Sequence, residues 1–258
     1  MSELAEQLQA FSQSGLWVFS LVFLRIGAAM ALLPAFGEQV TPMRVKLSAA
    51  LAFTIIVAPV VWGDFEQALQ ANSWWSLMFT EVVAGFAIGI MFRLMVIALQ
   101  VAGAVAANAT SLSQMFGGGI GTEPQPAIST LLVVAGLCLA VMAGLHIRVC
   151  EALILSFQLF QPGGRIGPSD MATWGISRVA HAFEHGLTLA GPFVLASLIY
   201  NLALGAINRA MPQLMVAFVG APAISLGGLV LLLVTAPFIL GVWVSVFLDM
   251  TDLQSGSL

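Results

Sequence analysis

Charge is what this chain has least of. Of its 258 residues only 8% are Asp, Glu, Lys or Arg, and it holds a single lysine (Lys46), a single tyrosine (Tyr200), three histidines and two cysteines. The eight basic residues form no cluster, so the electrostatic footprint that a phosphate backbone demands is missing and a nucleic-acid partner is excluded. Cys138 and Cys150 lie in apolar sequence without a CxxC spacing, which removes a disulfide framework or redox dithiol and leaves buried thiols as the expectation. No basic residue precedes Glu3 and Glu6, so the first helix is expected to stay attached rather than be removed as a signal peptide. GxSxG and HExxH are both absent.

What is present is apolar. Hydrophobic residues make up 60% of the chain, and its mean hydropathy of +1.01 is that of an integral membrane protein. Breaker residues divide it into six long apolar units: Gly15 to Phe36, Leu47 to Trp62, Ser73 to Ala107, Pro126 to Phe160, Met171 to Ala210 and Gln213 to Leu248. Crossing a bilayer core takes about 20 helical residues, so the longer units tilt, bend or protrude. The expected fold is therefore all-α, one membrane domain over residues 1–258 built of long helical hairpins. Prolines 34, 42, 59, 192, 212, 222 and 237 are expected to break or bend these helices. Gly85 and Gly89 form a GxxxG pair, and Gly136, Ala140 and Gly144 repeat the four-residue spacing, which suits close helix packing. Arg44 and Lys46 after the first unit, against Asp64 and Glu66 after the second, favour the former connection inside and both termini outside.

Four polar groupings and one further pair of charges, Glu81 and Arg93, interrupt the apolar pattern. Asn201, Gly205 and Asn208, at i, i+4 and i+7, share one helix face, with Arg209 at the helix end before Pro212 and Gln213. They read as an interhelical polar clamp or as a surface that contacts a substrate. His146, Arg148 and Glu151 read as a buried ion pair or as a proton relay. Arg178, His181, Glu184 and His185 include a histidine pair at i, i+4 but no third ligand, and no metal site is assigned. Glu81 and Arg93 stand twelve residues apart on one helix, too far to pair, so each needs a partner from another helix or chain. The fourth grouping is the loop Ser111 to Gly121, whose Gln114, Met115, Phe116, Gly117, Gly118, Gly119 and Ile120 combine a permissive backbone with deformable apolar side chains. That composition suits an ordinary glycine-rich turn or a gate. A dinucleotide site is excluded because no strand precedes the glycines.

The segments Pro34-Ala35-Phe36-Gly37-Glu38, Pro42-Met43-Arg44-Val45-Lys46, Ala58-Pro59, Gly144-Leu145-His146, Asn201 to Gln213 and Val219-Gly220-Ala221-Pro222 resemble the FliR/SctT family of type III secretion export-gate proteins, its flagellar branch in particular. The resemblance covers most of the chain in segment order and length. It implies a FliP-like portion over about residues 1–170 joined to a FliQ-like portion over 171–258. It also implies assembly with FliP and FliQ into a cone of kinked hairpins in the flagellar basal body of the bacterial inner membrane, near FlhB and FlhA. Much of the apolar surface would then face protein rather than lipid. Residues 114–120 would correspond to a plug loop sealing the channel for unfolded flagellar subunits, and the remaining polar residues would serve assembly. No catalytic residue and no cofactor follow from it.

Alternatives at this level are a subunit of a virulence secretion system, a small-solute transporter, and a membrane enzyme. The transporter lacks an inverted repeat or matched broken helices, and the enzyme has only Glu184 beside two histidines to offer.

Overall fold

Long apolar runs closed by proline and glycine become helices in the computed structural model, which describes residues 2–34, 41–71, 73–110, 126–164, 167–211 and 216–251. Eight helices and no strand occur among the described residues: α1 (Ser2–Leu32), α2 (Met43–Val57), α3 (Trp62–Ala71), α4 (Trp74–Thr110), α5 (Ala127–Met142), α6 (Leu145–Leu159), α7 (Pro168–Ala210) and α8 (Val216–Thr251). The all-α membrane fold is thus observed. Four of these helices are long and apolar enough to cross a membrane, within Gly15–Leu32, Trp74–Thr110, Ser169–Ala210 and Ala223–Asp249.

Two boundaries depart from the six-unit reading. Gly63 and Asp64, expected as a separator, lie in the first turn of α3, where the carboxylate suits the positive end of the helix dipole. The fourth unit is not continuous: Gly144 adopts φ +88°, a left-handed conformation that ends α5 and restarts the chain as α6. Gly144 is therefore a break and not a continuation of the Gly136–Ala140 packing stripe.

The prolines also divide. Pro34, Pro42 and Pro59 sit at helix ends, whereas α7 continues through Pro192 and α8 through Pro222 and Pro237. A proline inside a helix costs one ladder bond and leaves the turns before and after it intact. Pro212 lies outside the described residues.

The helices cluster into two compact units, neither of them contiguous in sequence. The first unit holds α1, α2, α3, α4 up to Leu94, α6 and α7 up to Arg178. On α1 the buried residues Val18, Leu21, Val22, Arg25, Ile26, Ala29 and Met30 recur at steps of three and four, the signature of one helix face. Helix α4 runs alongside that face. A Cβ at Gly85 would strike the Arg25 carbonyl oxygen, and one at Gly89 would stand 2.7 Å from the Ala29 carbonyl oxygen and 2.9 Å from the Leu32 Cβ. The GxxxG pair is thus where α4 meets α1 backbone to backbone.

The second unit holds α4 from Met95, α5, α7 from Val179 and α8 to Asp249. Close approach is again made by small residues. Gly103 abuts the backbone of Ser129, and Gly186 abuts the Ala98 carbonyl and Val101. The Ser129 hydroxyl donates to the Gln100 carbonyl at 3.1 Å, and the Trp243 indole N–H donates to the Met95 carbonyl at 2.8 Å.

Gly85→Leu is expected to separate α1 from α4 and cost more than about 2 kcal/mol, as forced overpacking does. Gly27→Ala on α1, where an added Cβ meets nothing within 4 Å, is expected to stabilise by about 1 kcal/mol through helix propensity. Thermal unfolding of the detergent-solubilised variants checks both signs.

Candidate functional site

The first unit encloses a guanidinium. A free charge at membrane depth costs from a few to more than ten kcal/mol, so Arg25 in the middle of apolar α1 requires a counter-charge and hydrogen-bond acceptors from its own surroundings. Both are supplied. Arg25 Nε donates to Glu81 Oε2 at 2.6 Å and Nη2 to Glu81 Oε1 at 3.0 Å, the two-pronged match of guanidinium to carboxylate. Arg25 Nη1 donates to the Ser156 hydroxyl at 3.2 Å, and Nη2 also donates to the Phe160 carbonyl at 2.8 Å. The Phe157 ring covers the remaining face, its centroid 3.7 Å from the guanidinium carbon.

Each element contributes for a local reason. Glu81, Gly85 and Gly89 are spaced by four on α4, so the glycines that admit α1 set its guanidinium beside the carboxylate one turn earlier. On α6, Leu145, Val149, Ala152, Leu153, Ser156 and Phe157 form one buried face. Phe160 caps the C-terminus of that helix, where carbonyls lack intrahelical donors, so a cation is welcome. With Arg25 1% and Glu81 0% exposed, the site offers no surface to a reactant. It binds α1, α4 and α6 together.

The other polar groupings lie outward. Arg148 and Glu151 do pair, at 3.5 Å, but with side chains 38% and 50% exposed. The expectation of a buried pair is corrected: the buried face of α6 lies on its other side, and His146 is also exposed. His181 Nδ1 lies 3.5 Å from Glu184 Oε2 with both side chains exposed, and His185 is half-buried. No group of three His, Cys, Asp or Glu side chains among the described residues is placed to hold a metal ion. Arg178 lies with its guanidinium carbon 5.9 Å from the Trp174 ring centroid. Arg93 is half-buried on α4. Cys138 is exposed and Cys150 half-buried, so the two buried thiols expected from the sequence are not formed by this chain alone.

Asn201, Asn208 and Arg209 are all exposed near the end of α7. Asn201 donates to the Ser197 carbonyl of its own helix at 2.8 Å, and a Cβ at Gly205 would meet nothing within 4 Å. The shared face exists, and among the described residues no other helix closes on it at Gly205. Gln213 and the loop residues Gln114, Met115, Phe116, Gly117, Gly118, Gly119 and Ile120 lie outside the described residues.

A family model described as bacterial export proteins, family 1, matches residues 16–250. The chain belongs to that family. This export protein is similar to the flagellar biosynthetic protein FliR of Caulobacter vibrioides, 32% identical over 241 residues that cover 92% of the chain and 95% of the relative. It is also similar to FliR of Aquifex aeolicus, 28% identical over 240 residues with 88% of each covered, and to FliR of Escherichia coli K12, 27% identical over 236 residues with 90% of each covered.

Sequence reasoning placed Glu81 in need of a partner from another helix or another chain and missed which residue it is. The signal for Arg25 was available: it is the one charged residue in the apolar run from Gly15 to Phe36, and an ionisable residue inside such a run marks a site by default.

Removing one half of the pair strands the other. Glu81→Leu or Arg25→Met alone is expected to destabilise this export protein by about 3–5 kcal/mol, and the double variant to recover most of that loss. Unfolding midpoints of the two single variants and the double variant measure the coupling.

Proposed function

We propose that the chain is a subunit of the flagellar type III export gate, a membrane protein that forms part of the channel through which unfolded flagellar subunits cross the inner membrane at the basal body. The observation that carries this reading is the unsatisfied surface of its last two long helices. In the membrane-length stretches of α7 and α8 only 17% of residues are buried, against 67% in that of α4. Asn201, Asn208 and Arg209 are exposed on α7 among Leu198, Ile199, Leu202 and Ile207. Lipid satisfies the leucines but not the amides and the guanidinium, so this segment calls for other protein chains. The family match over residues 16–250 and the flagellar names of its relatives support a flagellar exporter as the assembly.

In that assembly FliP and FliQ are the direct partners, with FlhB and FlhA nearby. Residues 1–170 form a FliP-like portion and 171–258 a FliQ-like portion. Glu81, buried against Arg25, serves the fold of the subunit. Arg93, His146, Arg148, Glu151, Asn201, Asn208, Arg209 and Gln213 provide assembly contacts. The loop 114–120 contributes the seal, since deformable Met and Phe side chains on a glycine backbone close around chains of any sequence while excluding ions. The gate carries no reaction and no cofactor.

Arg209→Ala is expected to lower recovery of FliP and FliQ when the complex is purified through this chain, and recovery at the wild-type level would refute the assembly role. Replacing Met115, Phe116 and Gly117 to Gly119 by small polar residues is expected to make cells overproducing the complex leak ions. An unchanged membrane potential would refute the seal.

A further inference from the structure

At membrane depth the polar atoms of a side chain need partners from protein or water, because lipid offers none. His185 lies inside the membrane-length stretch Ser169–Ala210 of α7 and is half-buried. Its ring centroid stands 6.5 Å from that of His181, one turn earlier, and His181 has Glu184 beside it at 3.5 Å. His185 itself forms no hydrogen bond and no ion pair among the described residues. An imidazole carries two nitrogens that donate or accept, so this ring has demands that its own helix does not meet.

The second unit sets that ring against a small cavity. Gly186 admits α7 to the Ala98 carbonyl of α4. The residue before it, His185, shares a cavity of about 30 Å³ with Met95 and Ala98 of α4, Thr188 and Leu189 of α7 and Trp243 of α8. The Trp243 indole N–H is already engaged by the Met95 carbonyl. The Thr188 hydroxyl donates to the Glu184 carbonyl at 2.8 Å, which leaves its oxygen able to accept. An acceptor oxygen and an imidazole, one turn apart on α7, therefore border the same space.

The size of the cavity selects what meets them. About 10–15 Å³ seats one water, so the space holds on the order of two, and a water needs at least two polar partners to stay. An acyl chain brings neither donor nor acceptor, and a side chain reaching in from another subunit needs more room. Cavities with apolar walls stay dry; an imidazole and a hydroxyl change that.

We propose that this cavity is a binding site for water, in which one internal water donates to the Thr188 oxygen and shares a hydrogen bond with a ring nitrogen of His185. The walls from α4 and α8 hold it there, and a protonatable ring stays hydrated within a membrane helix. The site depends only on the packing of the second unit and not on the assembly proposed above.

Methionines provide the test. Met95, 3% exposed, lines the cavity; Met91, 2% exposed and one turn earlier on α4, is not among its walls; Met142 is 82% exposed. Brief X-ray pulses turn water in place into hydroxyl radicals, which oxidise an adjoining methionine to its sulfoxide. The full chain in nanodiscs is irradiated and each methionine is read by tandem mass spectrometry. Met95 is expected to oxidise severalfold faster than Met91, with Met142 marking the rate in bulk water. His185→Phe with Thr188→Val makes the walls apolar and is expected to bring Met95 down to the Met91 rate. Equal rates at Met91 and Met95 in the wild-type chain would overturn the proposal. So would a fast Met95 in the double variant, since its oxidant would then come from elsewhere. Unfolding of the double variant would show as Met91 rising to the Met142 rate, and Thr188→Val alone, which removes the acceptor, then carries the same comparison.

Discussion

A guanidinium embedded in an apolar helix leaves the chain few ways to fold. Arg25 presents its donors in a rigid fork, and the acceptors that meet them come from Glu81 on α4 and from Ser156 and Phe160 at the end of α6. None of these is near Arg25 in sequence, so the hydrogen bonds form only when three helices arrive in one register. Such a pair contributes little net stability over an apolar replacement, but an arrangement that leaves either charge alone is heavily penalised. The first unit is specified largely by that penalty.

Glycine makes the register reachable. A side chain at Gly85 would hold α1 off by the width of its Cβ and more, and the carboxylate of Glu81 would no longer meet the fork. Similar economy of space governs the second unit, where Gly103 and Gly186 admit α5 and α7 to α4, and Trp243 anchors α8 by an indole bond to the Met95 carbonyl. Between apolar helices in an apolar solvent, burial of greasy surface supplies little preference for one packing over another. Contact distance and the few polar bonds decide it. Of the four membrane-length stretches, those in α7 and α8 are the least buried.

Much of the fold was legible in the sequence, because proline, glycine and run length bear directly on where helices start and stop. The misreadings are instructive. Gly63-Asp64 looked like a separator, yet Asp64 favours a helix start. Gly144 fits both the packing spacing of Gly136 and Ala140 and a turn with Leu145 and His146, and its left-handed backbone makes it the turn that divides α5 from α6. Of the candidate site residues, Glu81 needed a partner from another helix or another chain and finds it in Arg25 of α1, a residue with no role in the sequence-based expectations. Arg148 and Glu151 paired as their spacing allows, but spacing carries no information about which side of α6 is buried.

The sequence alone determined that this protein is helical, belongs in a membrane and carries more polar groups than its lipid surroundings could satisfy, since those properties follow from composition and from chemistry local to each segment. Only the tertiary structure decided which charge meets which, which glycines face a neighbouring backbone, and which faces of α2, α6 and α7 remain uncovered. Those outcomes depend on contacts between residues far apart in the chain, and a periodic pattern can mark a helix face without naming the surface that meets it.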